Sequence, residues 1–116
     1  MNSTPGQPTG ISKLCLGCHD GVVALEDFGG ATTGTTVLTS TDAGYVGVDL
    51  SNDHPISVTY AGGDPEIHAT TNTLGSGTVA DVLYSGNVEC ASCHDPHDNT
   101  NGSFLIASNA NSALCL

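Results

Sequence analysis

The chain has 116 residues, a formal net charge of −11 and a single basic residue, Lys13. That balance excludes nucleic acid, which is held through basic surface. Aromatic residues make up 4%, tryptophan is absent and glycine numbers 15, leaving little apolar surface to offset the entropy of ordering.

One thinly cored domain spanning 1–116 is the most this length supports, and no apolar stretch is long enough to span a bilayer. Residues 1–10 read as a flexible N-terminal arm, carrying Pro5, Gly6, Pro8 and Gly10. The start lacks a positive n-region and an apolar h-region. Either an export signal precedes this numbering or the chain is a mature fragment. Ser12 to His19 is expected to form a short helical turn, with Ser12 as its cap and Leu14 and Cys18 on one face. It contains the pentapeptide Cys15-Leu16-Gly17-Cys18-His19. Gly29 to Thr36 reads as loop. Tyr45 to Leu50 and Ile56 to Tyr60, alternating and β-branched, predict short strands. Thr78 to Tyr84 suits a strand or a helix, and both stay open. Val88 to His94 predicts a second short helix, stopped by Pro96, and holds Cys90-Ala91-Ser92-Cys93-His94. The tail from Ser108 to Leu116 reads as helical. The expected fold is mostly irregular coil with a few short helices and short strands.

The repeated C-x-x-C-H is the attachment signature of c-type haem. Thiols two residues apart reach the two vinyl groups on one edge of a porphyrin. The next residue is carried under the metal, where its imidazole can bind iron. Cys15, Cys18, Cys90 and Cys93 are therefore the expected thioether positions, with His19 and His94 as proximal ligands. Rival chemistries fit less well. A zinc ribbon separates its two C-x-x-C halves by about 15–20 residues, far less than here, and does not place a histidine against both pairs. No strand–helix alternation supports a thioredoxin-like pair, and a disulfide framework leaves the histidines unexplained. Two haem c groups are expected. They also resolve the weak core, because each would supply a large apolar plate for the polypeptide to wrap, giving a small haem-cored domain.

Five histidines are present, so His54, His68 and His97 remain as candidate distal ligands, each with a solvated surface residue as the plain alternative. Met1, the only methionine, stands at a terminus. Bis-histidine, low-potential haem is therefore expected, since methionine ligation is what raises the potential in many cytochromes c. Pro55 keeps His54 extended. His97 cannot share an iron with His94, because three residues cannot pass round the rim of the macrocycle. Two bis-histidine haems use four histidines and leave one over. The odd cysteine, Cys115, offers one resolution, as the first cysteine of a third, truncated motif. A ligand given to a neighbouring subunit is another. A free thiol or an intermolecular disulfide is the plain reading of Cys115.

These residues resemble bacterial multihaem c-type cytochromes of the doubled C-x-x-C-H kind. The resemblance rests on 14–21, Asn52-Asp53-His54-Pro55-Ile56, Val88 to His97 and Asn111 to Leu116, about a third of the chain. It implies distal ligation by His54 and His97. Some relatives polymerise into extracellular cytochrome filaments in which one subunit ligates a neighbour's haem. The resulting expectation is an electron carrier rather than an enzyme, working as the repeating subunit of a head-to-tail filament of identical chains, at the cell surface or beyond it. Redox proteins or extracellular acceptors would be its partners. A soluble periplasmic shuttle is the alternative. A multihaem oxidoreductase fits less well, since it needs an open iron position where histidines are here in surplus.

Overall fold

The computed structural model describes residues 7–114. The regular elements are short: helix α1 at Ser12–His19, strands β1 at Val58–Thr59, β2 at Thr73–Leu74, β3 at Gly77–Thr78 and β4 at Asn87–Val88, and helix α2 at Cys90–Cys93. Single 3-10 turns lie at Leu50–Asn52, Val79–Val82 and Ala110–Ser112. The rest is coil, as the composition implies. The radius of gyration is 15.3 Å, against about 13.4 Å for a compact domain of this length.

Two antiparallel ribbons organise the coil. One pairs β1 with β4, Val58 opposite Val88. The other is the hairpin β2–β3, with Thr73 opposite Thr78. Just before β4, Tyr84 and Asn87 exchange backbone hydrogen bonds at 3.0 Å across Ser85 and Gly86, both at positive φ. Positive φ at both central residues is the tight hairpin turn whose twist matches paired strands. That turn delivers β4 directly into α2.

Apolar burial is slight: among the described residues the buried hydrophobic ones are Ala24, Val58 and Val79, while Leu14, Phe28 and Val48 are each at least 76% exposed. A buried polar clasp does more to join the chain. Glu89, 2% exposed, accepts hydrogen bonds from the hydroxyls of Ser12, Ser57 (2.8 Å) and Thr9 (3.2 Å). The Ser12 hydroxyl in turn accepts from the Cys90 backbone N–H at 2.9 Å, and the Ser92 hydroxyl from that of Glu89 at 2.9 Å. α1 thereby packs against α2. Among the described residues, every buried side-chain polar atom has a partner.

Several expectations need correction. Ser12 is not the cap of α1: the helix is preceded by Ile11 without a side-chain cap, because the Ser12 hydroxyl is taken by Glu89. Tyr45 to Leu50 forms no strand. The N–H groups of Val46 and Gly47 both donate to the His19 carbonyl (2.9 and 3.2 Å) and close the end of α1 instead. Ile56 to Tyr60 contributes only Val58 and Thr59 to a strand, since Ser57 takes a positive φ. Thr78 to Tyr84 resolves into the end of β3 followed by a 3-10 turn. The second helix ends at Cys93, before Pro96: His94 is extended (φ −119, ψ 131) because it bridges to Leu105. In the tail only the 3-10 turn at Ala110–Ser112 forms, and Asn111 within it has a positive φ. Of the N-terminal arm, residues 1–6 lie outside the described part. Thr9 is tied to Ser57 and Glu89.

Burial pushes the Glu89 carboxyl up, but the hydrogen bonds from Ser12, Ser57 and Thr9 outweigh it and hold the group below its ordinary 4.5. A lowered folded-state value means the ionised clasp stabilises the fold fully above pH 4.5 and loses that contribution as pH falls through the folded value. Denaturant titration should show this acid-side loss in the natural protein and not in Glu89→Gln. Glu89→Ala, which strands buried donors, should cost roughly 2–4 kcal/mol at neutral pH.

Candidate functional site

The clasp brings the two pentapeptides together. Cys15 lies one turn along α1 from Ser12, and Cys90 opens α2 beside Glu89. Burial, then the neighbouring Cys90, raises the Cys15 thiol above its ordinary 9.0. A protonated, half-buried thiol is a poor spontaneous nucleophile. Cys18 and Cys93 follow one helical turn further along their respective helices, and both are half-buried.

The two histidines of the motifs are held alike. His19 Nδ1 donates to the Gly44 carbonyl at 2.6 Å, and His94 Nδ1 to the Ser103 carbonyl at 2.9 Å. A carbonyl can only accept, so each Nδ1 carries the proton and each Nε2 offers its lone pair. This is the tautomer a metal-bound imidazole needs, with the ring orientation fixed by the second nitrogen. Different loops supply the carbonyls. Near His19, α1 ends with Gly21 at φ +75, where a Cβ would lie 2.7 Å from the Leu38 carbonyl oxygen. The left-handed glycine turns the chain sharply off the helix. Near His94, backbone bonds from Asp95 to Phe104 (2.8 Å) and Ile106 to Cys93 (3.0 Å) fold 95–104 back over the ring.

His54 and His94 lie with ring centroids 6.3 Å apart and planes 18° from parallel. The β1–β4 ribbon brings them together: His54 stands four residues before Val58, and His94 six after its partner Val88. His68 sits elsewhere. Its backbone carbonyl accepts from Tyr60 Oη at 2.6 Å, its Nδ1 meets the Asn72 amide at 3.1 Å, and its Nε2 meets the Ala113 carbonyl at 3.3 Å. His68 therefore faces the C-terminal segment; Cys115 itself lies outside the described residues. The His97 side chain is 92% exposed, with Nδ1 3.3 Å from Asp95.

The donor set fits a porphyrin better than a bare ion. Among the described residues, no group of three or more His, Cys, Asp or Glu side chains could hold a metal, whereas haem brings four nitrogens of its own and asks the protein for one or two. An open groove of ≈ 350 Å³, lined by Pro8, Leu16, Gly47, Val48 and Leu50 among others, runs beside the first pentapeptide, and the exposed Val48 gives it an apolar wall. Cys15, Cys18 and His19 would hold one haem; Cys90, Cys93 and His94 would hold another. Sequence reasoning missed Gly44, Ser103, Glu89 and Ser12 as supports. A backbone carbonyl leaves no mark in the residue type, although a carboxylate directly before Cys90 was a usable signal for Glu89.

Residues 84–116 match the family model for the doubled CXXCH motif. The match takes in the second pentapeptide and supports a multihaem c-type cytochrome with covalently bound haem c. No curated protein matches the chain. Among the described residues, no helix is long and apolar enough to cross a membrane.

Two measurements check the site. Replacing Cys90 and Cys93 by alanine should lower the intact mass by one haem relative to the natural protein. At Gly44 an added Cβ would lie 3.2 Å from both Cε1 and Nδ1 of His19, tight enough to push the ring. Gly44→Ala should therefore shift the midpoint potential of one haem and leave the rest in place, as read by spectroelectrochemistry.

Proposed function

We propose that the chain is an electron carrier built on bis-histidine c-type haems in close contact, and that it works as the repeating subunit of an extracellular filament. The observation that carries this is the packing of α1 against α2, with the Cys90 backbone N–H on the Ser12 hydroxyl at 2.9 Å, which brings Cys15 and Cys90 to neighbouring helix starts. Each is the first cysteine of its motif, so the edges of two attached macrocycles would be held side by side. Bound haem supplies an iron that cycles between ferric and ferrous forms.

The polypeptide's part is to fix distance and tune potential. The Glu89 clasp sets the spacing of the two attachment helices. The carbonyls of Gly44 and Ser103 fix the ring orientation of His19 and His94. The surplus of imidazoles favours filled coordination at each iron, which suits electron transfer rather than substrate chemistry. A single basic residue, Lys13, leaves little to grip an anionic substrate.

The polymer is supported by what the chain leaves at its surface. His97 projects into solvent beside Asp95, where it can reach an iron outside its own fold. Leu14, Phe28 and Val48 are exposed and need covering by haem or by another copy. A head-to-tail contact of this kind propagates unless its rotation closes a ring.

The resting spectrum of the haem-loaded protein should be low-spin and six-coordinate; a substantial high-spin fraction would favour an oxidoreductase instead. Electron microscopy at high protein concentration should show filaments. Globular monomers with every histidine bound within its own chain would refute the polymer and leave a soluble shuttle.

A further inference from the structure

The sequence left open which distal histidine serves which iron. We infer that His54 and His94 are the two axial ligands of one iron, that of the haem attached at Cys90 and Cys93. The inference rests on the electron-carrier reading and adds to it the identity of the sixth ligand.

Metal–imidazole bonds of about 2 Å, plus about 1.1 Å from each ligating nitrogen to its ring centroid, put trans imidazole centroids roughly 6.2 Å apart. The His54 and His94 centroids are 6.3 Å apart. The two rings are stacked, 18° from parallel, with a wider centroid separation than face-to-face contact gives. Nearly parallel planes in contact at about 3.5 Å would, at this centroid distance, have slid past one another without overlap. A metal atom between the two ligating nitrogens gives the same separation.

The surroundings agree. His94 Nδ1 is held by the Ser103 carbonyl, which leaves Nε2 for iron. His54 reaches the same place from another segment: Asp53 is extended (φ −102, ψ 163) and Pro55 keeps His54 so. Ser57 N–H then donates to the Val88 carbonyl at 2.7 Å, anchoring the strand next to the start of α2. His97, three residues from His94 and turned to solvent, is left for a different iron.

The test is His54→Gly in the full, haem-loaded chain. About half of the haem should become high-spin in the resting optical and electron-paramagnetic spectra, and added imidazole should restore the low-spin form. In a Cys90→Ala/Cys93→Ala background, which lacks that haem, His54→Gly should add no high-spin signal. His54→Met guards against misfolding, because it keeps a sixth ligand. It should raise the midpoint potential of one haem only. A fully low-spin His54→Gly protein, or a high-spin signal that survives removal of the second attachment site, would overturn the pairing while leaving the carrier intact. A natural chain with no covalent haem would overturn the electron-carrier reading and the pairing together.

Discussion

Everything about this molecule depends on a carboxylate buried between two helices. Glu89 gathers hydroxyls from three separate places in the chain, at Thr9, Ser12 and Ser57, and its neighbour Cys90 donates back to Ser12. Burying a charge is costly unless hydrogen bonds replace its water. Here they do, in a protein with almost no apolar core to do the joining. The clasp ties the start of α1 to the start of α2, and with them the first cysteine of each pentapeptide.

The acidic composition has a second local use. Asp20, Asp49, Asp64, Asp95 and Asp98 each accept a hydrogen bond from the backbone N–H two residues on. Such bonds stand in for the ladder partners that irregular backbone lacks. In Asp49 and Asp98 the side-chain and backbone bonds, from Ser51 and Thr100 respectively, hold the carboxyl below its ordinary range. Much of the negative charge thus belongs to loop geometry, and a chain that is mostly loop needs many such residues.

How much was legible beforehand follows from where the information lies. The expectation of haem was readable because it rests on residue identity at a fixed spacing, which Cys15 to His19 and Cys90 to His94 carry without reference to the fold. The largely irregular architecture was readable from glycine and threonine content. Val58–Thr59 falls within the strand expected over Ile56 to Tyr60, whereas Asn87–Val88, only two residues long, is too short to show a period of two. Tyr45 to Leu50 had strand composition, but the exposed carbonyl at the end of α1 claimed its N–H groups first. Ser12 looked like a cap because a local partner is the default for serine. Its true partner is Glu89, distant along the chain, and no local pattern could announce that.

The use of carbonyls from Gly44 and Ser103 to hold the two motif histidines has a corollary. A main-chain acceptor does not depend on the identity of the side chain, only on the backbone that carries it, which at Ser103 is left-handed (φ 50). What the arrangement does respond to is loop length: one inserted or deleted residue between Val22 and Gly44, or between Asp95 and Ser103, would swing the acceptor away. A hydrogen bond to Nδ1 makes the imidazole a stronger electron donor to its metal. The orientation of His19 and His94 is therefore sensitive to insertions and deletions in these loops as well as to crowding at Gly44.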